Sequence, residues 1–486
     1  MSYNALVPIV LFGFIPVSLL LFMVMSVPRA IAATYVLGWL FLPPNIGYNL
    51  PGIPDWTKYN ALAVATILGA IIFDGGRFFA FRARWYDLPA LLFCLVPLAS
   101  SLSNGLGAWD GLSGVLTYFF QWGTPYFIAR IYFSNLSGVR DLAIWIVIGA
   151  IIYVPLCLFE IRMSPQLNKW IYGYYQNPFN QTRRLGGFRP MVFMNTGLAV
   201  GLWMCAGTLI AFMCWLGGWP KKLFGLPMLA WVAVLGATAV LCKSLGAVML
   251  LIAAMIVGYL SKVTRMPVFL LMLAIVPVGY IGLRATNIWD GSSMIELFEK
   301  INPERANSLM VRIRNETVTV ERGLERPLLG WGGWGRNRVS IEDSGFRSIV
   351  DGLWVIIVSQ RGLIGLAGML FILLAPCLLF VTRWRKLGMW HPWLLPGLGM
   401  CLVLTMFTAD SLFNAMLNPI YVLAAGAVMG MVADQRTMAA VLSTLRTNRG
   451  PAQTIAPRGA SMPRATPGQS AQPGAPVVMQ SSGAKI

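Results

Sequence analysis

The sequence predicts an all-α polytopic membrane protein with about 12–13 transmembrane helices. Three observations predict it. Of the 486 residues, 57% are hydrophobic and only 11% charged, whereas a soluble domain carries about a quarter charged residues. The mean hydropathy is +0.68. Apolar runs of about 20 residues recur along most of the chain, each able to cross the hydrocarbon layer as a helix. Inside lipid every backbone polar group needs an internal partner, and runs of this length meet that need as helices rather than as barrel strands.

Taken in order, the expected spans lie near 5–26, 30–44, 59–74, 88–102, 113–133, 142–159, 191–216, 226–242, 245–260, 267–283, 353–380, 393–409 and 419–433. The first run reads as a span rather than a cleavable signal: no Lys or Arg precedes it, and no clear small-residue cleavage site follows. The seven cysteines fall within or beside apolar runs and read as buried free thiols used as small hydrophobes. They show neither metal-ligand spacing nor a disulfide framework.

A formal net charge of +19 suggests nucleic acid, but a membrane protein retains Lys and Arg in its cytoplasmic loops. Four basic connections, 75–87, 219–222, 261–265 and 383–386, fall on one side when the spans are counted. Arg29 and the basic tail join them, so that side is the expected cytoplasm, with the N-terminus outside. The membrane body is expected to be 1–434. Residues 435–486, rich in Pro, Gly, Ser, Ala and Gln, read as a disordered cytoplasmic tail. No internal repeat is evident, which disfavours an inverted-repeat transporter.

Two long loops, 160–190 and 284–352, fall on the external side. The first holds Arg162, Lys169, Arg183, Arg184 and Arg189 against one acid, Glu160. That excess runs against the retention of positive charge inside. One reading is interfacial snorkelling beside lipid headgroups, with aromatic anchors in 169–179. The other is an anion site, because the arginine fork suits bidentate phosphate recognition. Gly186 and Gly187 would let backbone approach that ligand.

The larger loop is expected to be partly helical. In "PERANSLMVRIRNETVTVERGLE" (303–325), bases at 305, 312, 314 and 322 alternate with acids at 304, 316, 321 and 325. This reads as a solvated, partly self-paired element, its helical character blurred by β-branched Val and Thr. A turn-rich stretch with Pro327 and four glycines follows. Its indoles, Trp331 and Trp334, either anchor at the interface or stack on a sugar ring. Asp351 stands at the external mouth of the next span, as a first-turn acid favoured by the helix dipole or as a general base. Arg361, over two turns deeper, implies either a cavity or a misplaced span.

The arrangement resembles the O-antigen ligase/O-antigen polymerase superfamily of bacterial envelope glycosyltransferases. "SLMVRIRNETVTVERGLERPLLGWGGWG" (308–335) is similar to its Arg-initiated external helix with a following Pro-Leu-hydrophobic-Gly-x-Gly turn. "VDGLWVIIVSQRGLIGLAG" (350–368) resembles its polar-headed span, and "RRLGGFRPMVFMNTG" (183–197) its Arg-x-x-Gly entry to an earlier one. "CKSLGAVMLL" (242–251) loosely resembles its short Ser/basic turn. The resemblance covers roughly 60–433 and rests on the order and spacing of several weak motifs.

The resemblance implies a GT-C-like helical fold in the bacterial inner membrane, with the active site facing the periplasm. It implies polymerisation of glycan repeat units carried on undecaprenyl pyrophosphate, with an acceptor glycan hydroxyl as nucleophile. Neither a nucleotide sugar nor a metal is needed. Membrane lipids and a chain-length regulator are the further candidate partners, and nucleic acid is not one. The catalytic candidates it implies are Arg312, Arg184 and Asp351; Arg183, Arg189, Arg314, Trp331 and Trp334 are candidates for pyrophosphate or glycan binding. Arg184, Arg189 and Arg312 would form a clamp from two loops over one cavity. Ligases of the family carry a histidine where this chain has Asp351, and the sole histidine, His391, is expected at the cytoplasmic end of a span. That departure favours a polymerase over a ligase. A polysaccharide or lipid transporter or flippase is the alternative of another class.

Overall fold

Each long apolar run folds as a helix, and together they bundle around a buried, largely apolar centre. The computed structural model describes residues 3–51, 54–184, 186–301, 303–333, 335–339, 348, 351–384, 389–433, 439 and 443. The tail beyond 443 and Trp334 therefore lie outside the described residues.

The chain opens with α1 (Leu6–Val24) and α2 (Val27–Phe41), separated by a turn at Ser26 with Pro28 in the first turn of α2. A two-residue strand pair, β1 (Gly47–Tyr48) and β2 (Trp56–Thr57), leads to α3 (Lys58–Phe79). Next come α4 (Leu88–Ser103) and α5 (Ala108–Tyr118), which runs through a π-helical turn (Phe119–Gly123) into α6 (Thr124–Tyr132). α7 (Leu136–Met163) starts where the Asn135 side chain accepts the Gly138 N–H at 2.7 Å. Short α8 (Leu167–Tyr172) and a hairpin of β3 (Arg183–Arg184) and β4 (Gly187–Phe188) precede α9 (Gly197–Leu216), capped by Thr196. A second hairpin, β5 (Lys222–Leu223) and β6 (Leu226–Pro227), leads to α10 (Met228–Leu241), α11 (Leu245–Thr264) and α12 (Val268–Ala285). After α13 (Ser292–Ile301) and α14 (Pro303–Leu324) the chain closes with α15 (Leu353–Trp384), α16 (Leu395–Asp410) and α17 (Pro419–Ala433).

Among the described residues, eight helical stretches are long and apolar enough to cross a membrane, and α2, α10, α16 and α17 are shorter apolar helices. The protein is an all-α, multi-pass membrane protein. Its burial pattern is that of a bundle in lipid. Every residue of α17 is buried, as is nearly all of α16 and most of α9. By contrast α1, α3, α11 and α12 turn Ile9, Val24, Ile72, Ile256 and Ile275 outward. Apolar surface of that extent suits hydrocarbon rather than water. Small residues bring the central helices together: a side chain at Gly426 or Gly430 of α17 would collide with Tyr126 of α6 or with Ser134 just beyond it. All seven cysteines are free and buried, as the sequence implied.

Contacts between connections sort the bundle into two ends. At one end Asn4 donates to the Tyr172 carbonyl, Asn45 reaches Gln176 and Asn195, Tyr59 reaches Leu417, and Asn104 reaches Gly330. Both long loops therefore share this end with the N-terminus. At the other end Arg29 pairs with Asp141, Lys262 reaches the Leu216 carbonyl, and Arg140 lies against Trp219 and Trp393. The buried Asp87–Arg130 pair, reinforced by Tyr86 and Tyr126, closes the 80–87 connection there.

Candidate active site

The site is built on α14, which the mixed charge and β-branched residues of its sequence had left uncertain. It is one continuous helix from Pro303 to Leu324. Residues four apart on a helix share a face, so Arg312 and Glu316 project together while exposed Arg314, two positions on, points elsewhere. Glu316 fixes the helix to the bundle. Its carboxylate accepts the Arg284 Nε–H at 2.6 Å and the Tyr280 hydroxyl at 3.0 Å, both from the last turns of α12. Arg284 also donates to Thr317 Oγ1 at 2.7 Å and to the Trp289 carbonyl at 3.0 Å. Burial pushes the Glu316 carboxyl above its usual range, and the Arg284 and Tyr280 hydrogen bonds oppose that rise.

With α14 anchored, Arg312 reaches Asp351, Nε to Oδ2 at 3.5 Å. Asp351 precedes α15, whose first N–H, from Leu353, donates to the Ser411 carbonyl at 2.9 Å. The two partners border a small cavity with Glu316, Gly352, Leu412 and Phe413. Their side chains remain 34% and 44% exposed, so the pair is open to a ligand. Partial burial raises the Asp351 carboxyl above its ordinary value, and the Arg312 charge pulls it back down.

Behind this cavity α15 is broken. Gly362 has φ +67° and ψ −167°, a conformation closed to other residues. The turn after α14 fills the break with backbone. Trp331 N–H donates to the Ser359 carbonyl at 2.9 Å, Gly332 N–H to the Gln360 carbonyl at 3.1 Å, and Leu363 N–H to the Pro327 carbonyl at 2.7 Å. Ser100 and Asn104, at the end of α4, hold the Leu329 and Gly330 carbonyls at 2.6 and 2.9 Å. Arg361, which the sequence placed deep within a span, is thus the last residue before a helix break, buried with its guanidinium over Tyr118. Trp331 is committed locally: its indole N–H donates to the Arg322 carbonyl at 2.6 Å, and Arg322 and Arg326 lie over its ring at 3.6 and 4.4 Å.

The arginine-rich stretch before α9 is the β3–β4 hairpin, turning at Gly186 with φ +68°. Buried Glu160 holds its base by accepting the N–H groups of Leu167, Met191 and Val192 at 2.8–3.1 Å. Arg183 and Arg184 are exposed. Arg189 is turned inward, 8% exposed, and donates to the Lys243 carbonyl at 2.9 Å. Lys243 in turn donates from Nζ to the Arg184 carbonyl at 3.1 Å. Four cations therefore gather at this corner, and Arg189 braces it from inside.

No protein-family model matches the chain, and no curated protein matches it. Its site is read from its own geometry. The structure brings Arg312 and Asp351 into one ion pair and gathers Arg183, Arg184 and Arg189 in one hairpin at the same end of the bundle. The described contacts of Arg183 and Arg184 are with Phe188 and Lys243 rather than with Arg312. His391 lies at the opposite end, where its Nδ1 accepts the Trp393 N–H at 3.3 Å. Among the described residues no group of three His, Cys, Asp or Glu side chains stands close enough to hold a metal.

Sequence reasoning did not single out Lys243, Glu316 or Arg284 as site residues. Lys243 entered only as part of "CKSLGAVMLL", a turn loosely similar to one of the family, with no role given to it. Glu316 lies one helical turn beyond Arg312, and that spacing was the available signal. Arg284 carries the complementary one: a cation at the end of an apolar span needs a nearby acid.

Proposed function

We propose that the chain is a polymerase of lipid-linked glycan repeat units, with a GT-C-like organisation. It transfers a glycan from undecaprenyl pyrophosphate to an acceptor glycan hydroxyl on the external face of a bacterial inner membrane. The observation that carries the reading is the Arg312–Asp351 pair, open to a cavity at the same end of the bundle as the Arg183, Arg184, Arg189 and Lys243 cluster.

The chemistry follows from those groups. The acceptor oxygen bonds to the anomeric carbon as the bond from that carbon to the pyrophosphate oxygen breaks, and the electron pair leaves with the pyrophosphate. Asp351 takes the acceptor proton, a contribution of about 10²–10⁴-fold. The cations meet the negative charge that grows on the leaving oxygen, where fixed positive charge lowers the barrier. Arg312 holds the Asp351 carboxylate ionised and in place.

Purified protein in nanodiscs, given lipid-linked oligosaccharide alone, is expected to produce a ladder of multiple repeat units. A single transfer to an added acceptor of another kind would assign a ligase instead. Movement of the lipid-linked glycan across the bilayer without transfer would assign a transporter.

A further inference from the structure

At the end of the bundle opposite the Arg312 cavity, one arginine is held without an acceptor. Arg140 is the fifth residue of α7 and is 9% exposed. Its guanidinium carbon lies 3.5 Å from the centre of the Trp219 ring and 4.2 Å from that of Trp393. Its Nε is buried and has no hydrogen-bond partner. Among the described residues no carboxylate forms an ion pair with it: the adjacent acid, Asp141, faces Arg29 at 3.4 Å. Trp219 is exposed and Trp393 half-buried, so the group stands at the surface of the bundle rather than in its core.

The two indoles favour the charge through their ring faces, but an indole N–H only donates, so neither ring gives the guanidinium an acceptor. Buried donors ordinarily have one. Retention of basic residues in loops accounts for exposed Lys221 and Lys222 close by, but not for a guanidinium tucked against two rings. Lys262 brings a second cation to the same corner. Its Nζ donates to the Leu216 carbonyl at 3.4 Å, three residues before Trp219, and two ammonium hydrogens are left over. What the corner lacks is an anion with several acceptor oxygens.

Depth names the class of anion. α7 has 28 residues, about 42 Å at 1.5 Å per residue, against a hydrocarbon layer of about 30 Å. Its first turns therefore stand in the headgroup layer, where indoles also concentrate. We propose that Arg140, framed by Trp219 and Trp393 and assisted by Lys262, binds the phosphate of an anionic phospholipid. The paired N–H groups of the guanidinium suit two phosphate oxygens at once, and basic pockets between membrane helices are sites of this kind. The bound headgroup ties together α7, the turn after α9 and the stretch that leads into α16. The site shares no residue with the glycan reaction proposed above and does not depend on it.

Free phosphate offers the same oxygens, so the test separates the two. Thermal unfolding of the purified full-length protein is followed in uncharged detergent with added phosphatidylglycerol, phosphatidylcholine or inorganic phosphate. Wild type is expected to gain Tm with phosphatidylglycerol and much less with the other two. Arg140→Gln is expected to lose most of that gain, and Arg140→Lys, which keeps the charge without the fork, to keep part of it. Lys222→Gln, which removes an exposed cation outside the ring contacts, is expected to keep it. Because Arg140→Gln also removes the ring contacts, the gain with lipid is read rather than the lipid-free Tm. Should that variant not fold, a full gain in Arg140→Lys overturns the site. An equal gain from phosphatidylcholine overturns assignment to an anionic lipid, and an equal gain from inorganic phosphate leaves an adventitious ion only. No gain in wild type, or equal gains in wild type, Arg140→Gln and Lys222→Gln, overturns the site. So does an equal loss in Arg140→Gln and Lys222→Gln, which would leave only general charge attraction.

Discussion

As the proposed general base, Asp351 would give the site a pH signature. A general base works only when ionised, so activity falls as pH drops through its pKa. That pKa is raised by partial burial and lowered by Arg312. The acid limb of the transfer rate is therefore expected above the ordinary aspartate range. Arg312→Gln removes the lowering influence and should move the limb to still higher pH, while Arg312→Lys keeps a charge and moves it less. A limb unchanged in Arg312→Gln would separate Arg312 from the base. Asp351→Asn is expected to cost about 10²–10⁴-fold in turnover at unchanged Tm. The neighbouring Arg284–Glu316 pair behaves differently because both partners are buried, at 4% and 7% exposure. Glu316→Gln strands the guanidinium and is expected to destabilise by about 3–5 kcal/mol, whereas Arg284→Met with Glu316→Leu should recover most of that loss. Unfolding curves of the single and double variants check it. Asp351 stood out in the sequence as a charge at the edge of an apolar run, whereas Arg312, in the middle of a hydrophilic loop, was singled out only through the family resemblance. The Arg284–Glu316 pair was not legible, because its partners lie 32 positions apart on different helices and share no local pattern.

α14 and α15 show how element-level packing sets that geometry. Hydropathy reads 353–380 as one span, and Gly362 looks like one more packing glycine beside Gly365 and Gly368. The single sign of a break was Arg361, an arginine where a span should be apolar. Breaking at Gly362 resolves it: Leu363 to Trp384 alone extends about 33 Å, enough to cross the hydrocarbon layer. Leu353 to Arg361 is thereby freed to stand among the loops, with Asp351 just ahead of it. The Pro327–Gly332 turn supplies hydrogen-bond partners that the broken helix lacks, and its glycine pattern was legible as a turn though its docking site was not. A side chain at Gly362 would collide with the Leu328 carbonyl, and one at Gly330 with the Gln360 backbone. Gly362→Ala is therefore expected to expel the turn, raising amide exchange at 327–332 and lowering transfer, while exchange in Ile372–Phe380 stays low. Unchanged exchange in the turn would show that it holds without the break.

For the whole molecule, the grouping of connections into two ends is the feature the sequence carried best. Counting apolar runs put 75–87, 219–222, 261–265 and the start of 383–386 together, and contacts among Arg140, Trp219, Trp393, Lys262 and Leu216 join that end. What the count did not convey is which residues meet within an end, since helix packing rather than chain order decides that. Retention of Lys and Arg inside is the basis for proposing that the 219–222 end is cytoplasmic and both arginine sites external. The burial of all seven cysteines makes this orientation testable with one introduced thiol at a time. Arg184 and Lys222 are exposed positions at opposite ends. In intact spheroplasts a membrane-impermeant maleimide is expected to label Arg184→Cys and to spare Lys222→Cys, which should react only after lysis. Labelling of Lys222→Cys alone in intact cells would invert the protein. The cation cluster and the Arg312–Asp351 pair would then face the cytoplasm, where charge retention alone would account for the arginines and the external polymerase would lose its site. Labelling at Arg184 leaves their accumulation unexplained by topology, and a pyrophosphate remains the group that their charge and spacing suit.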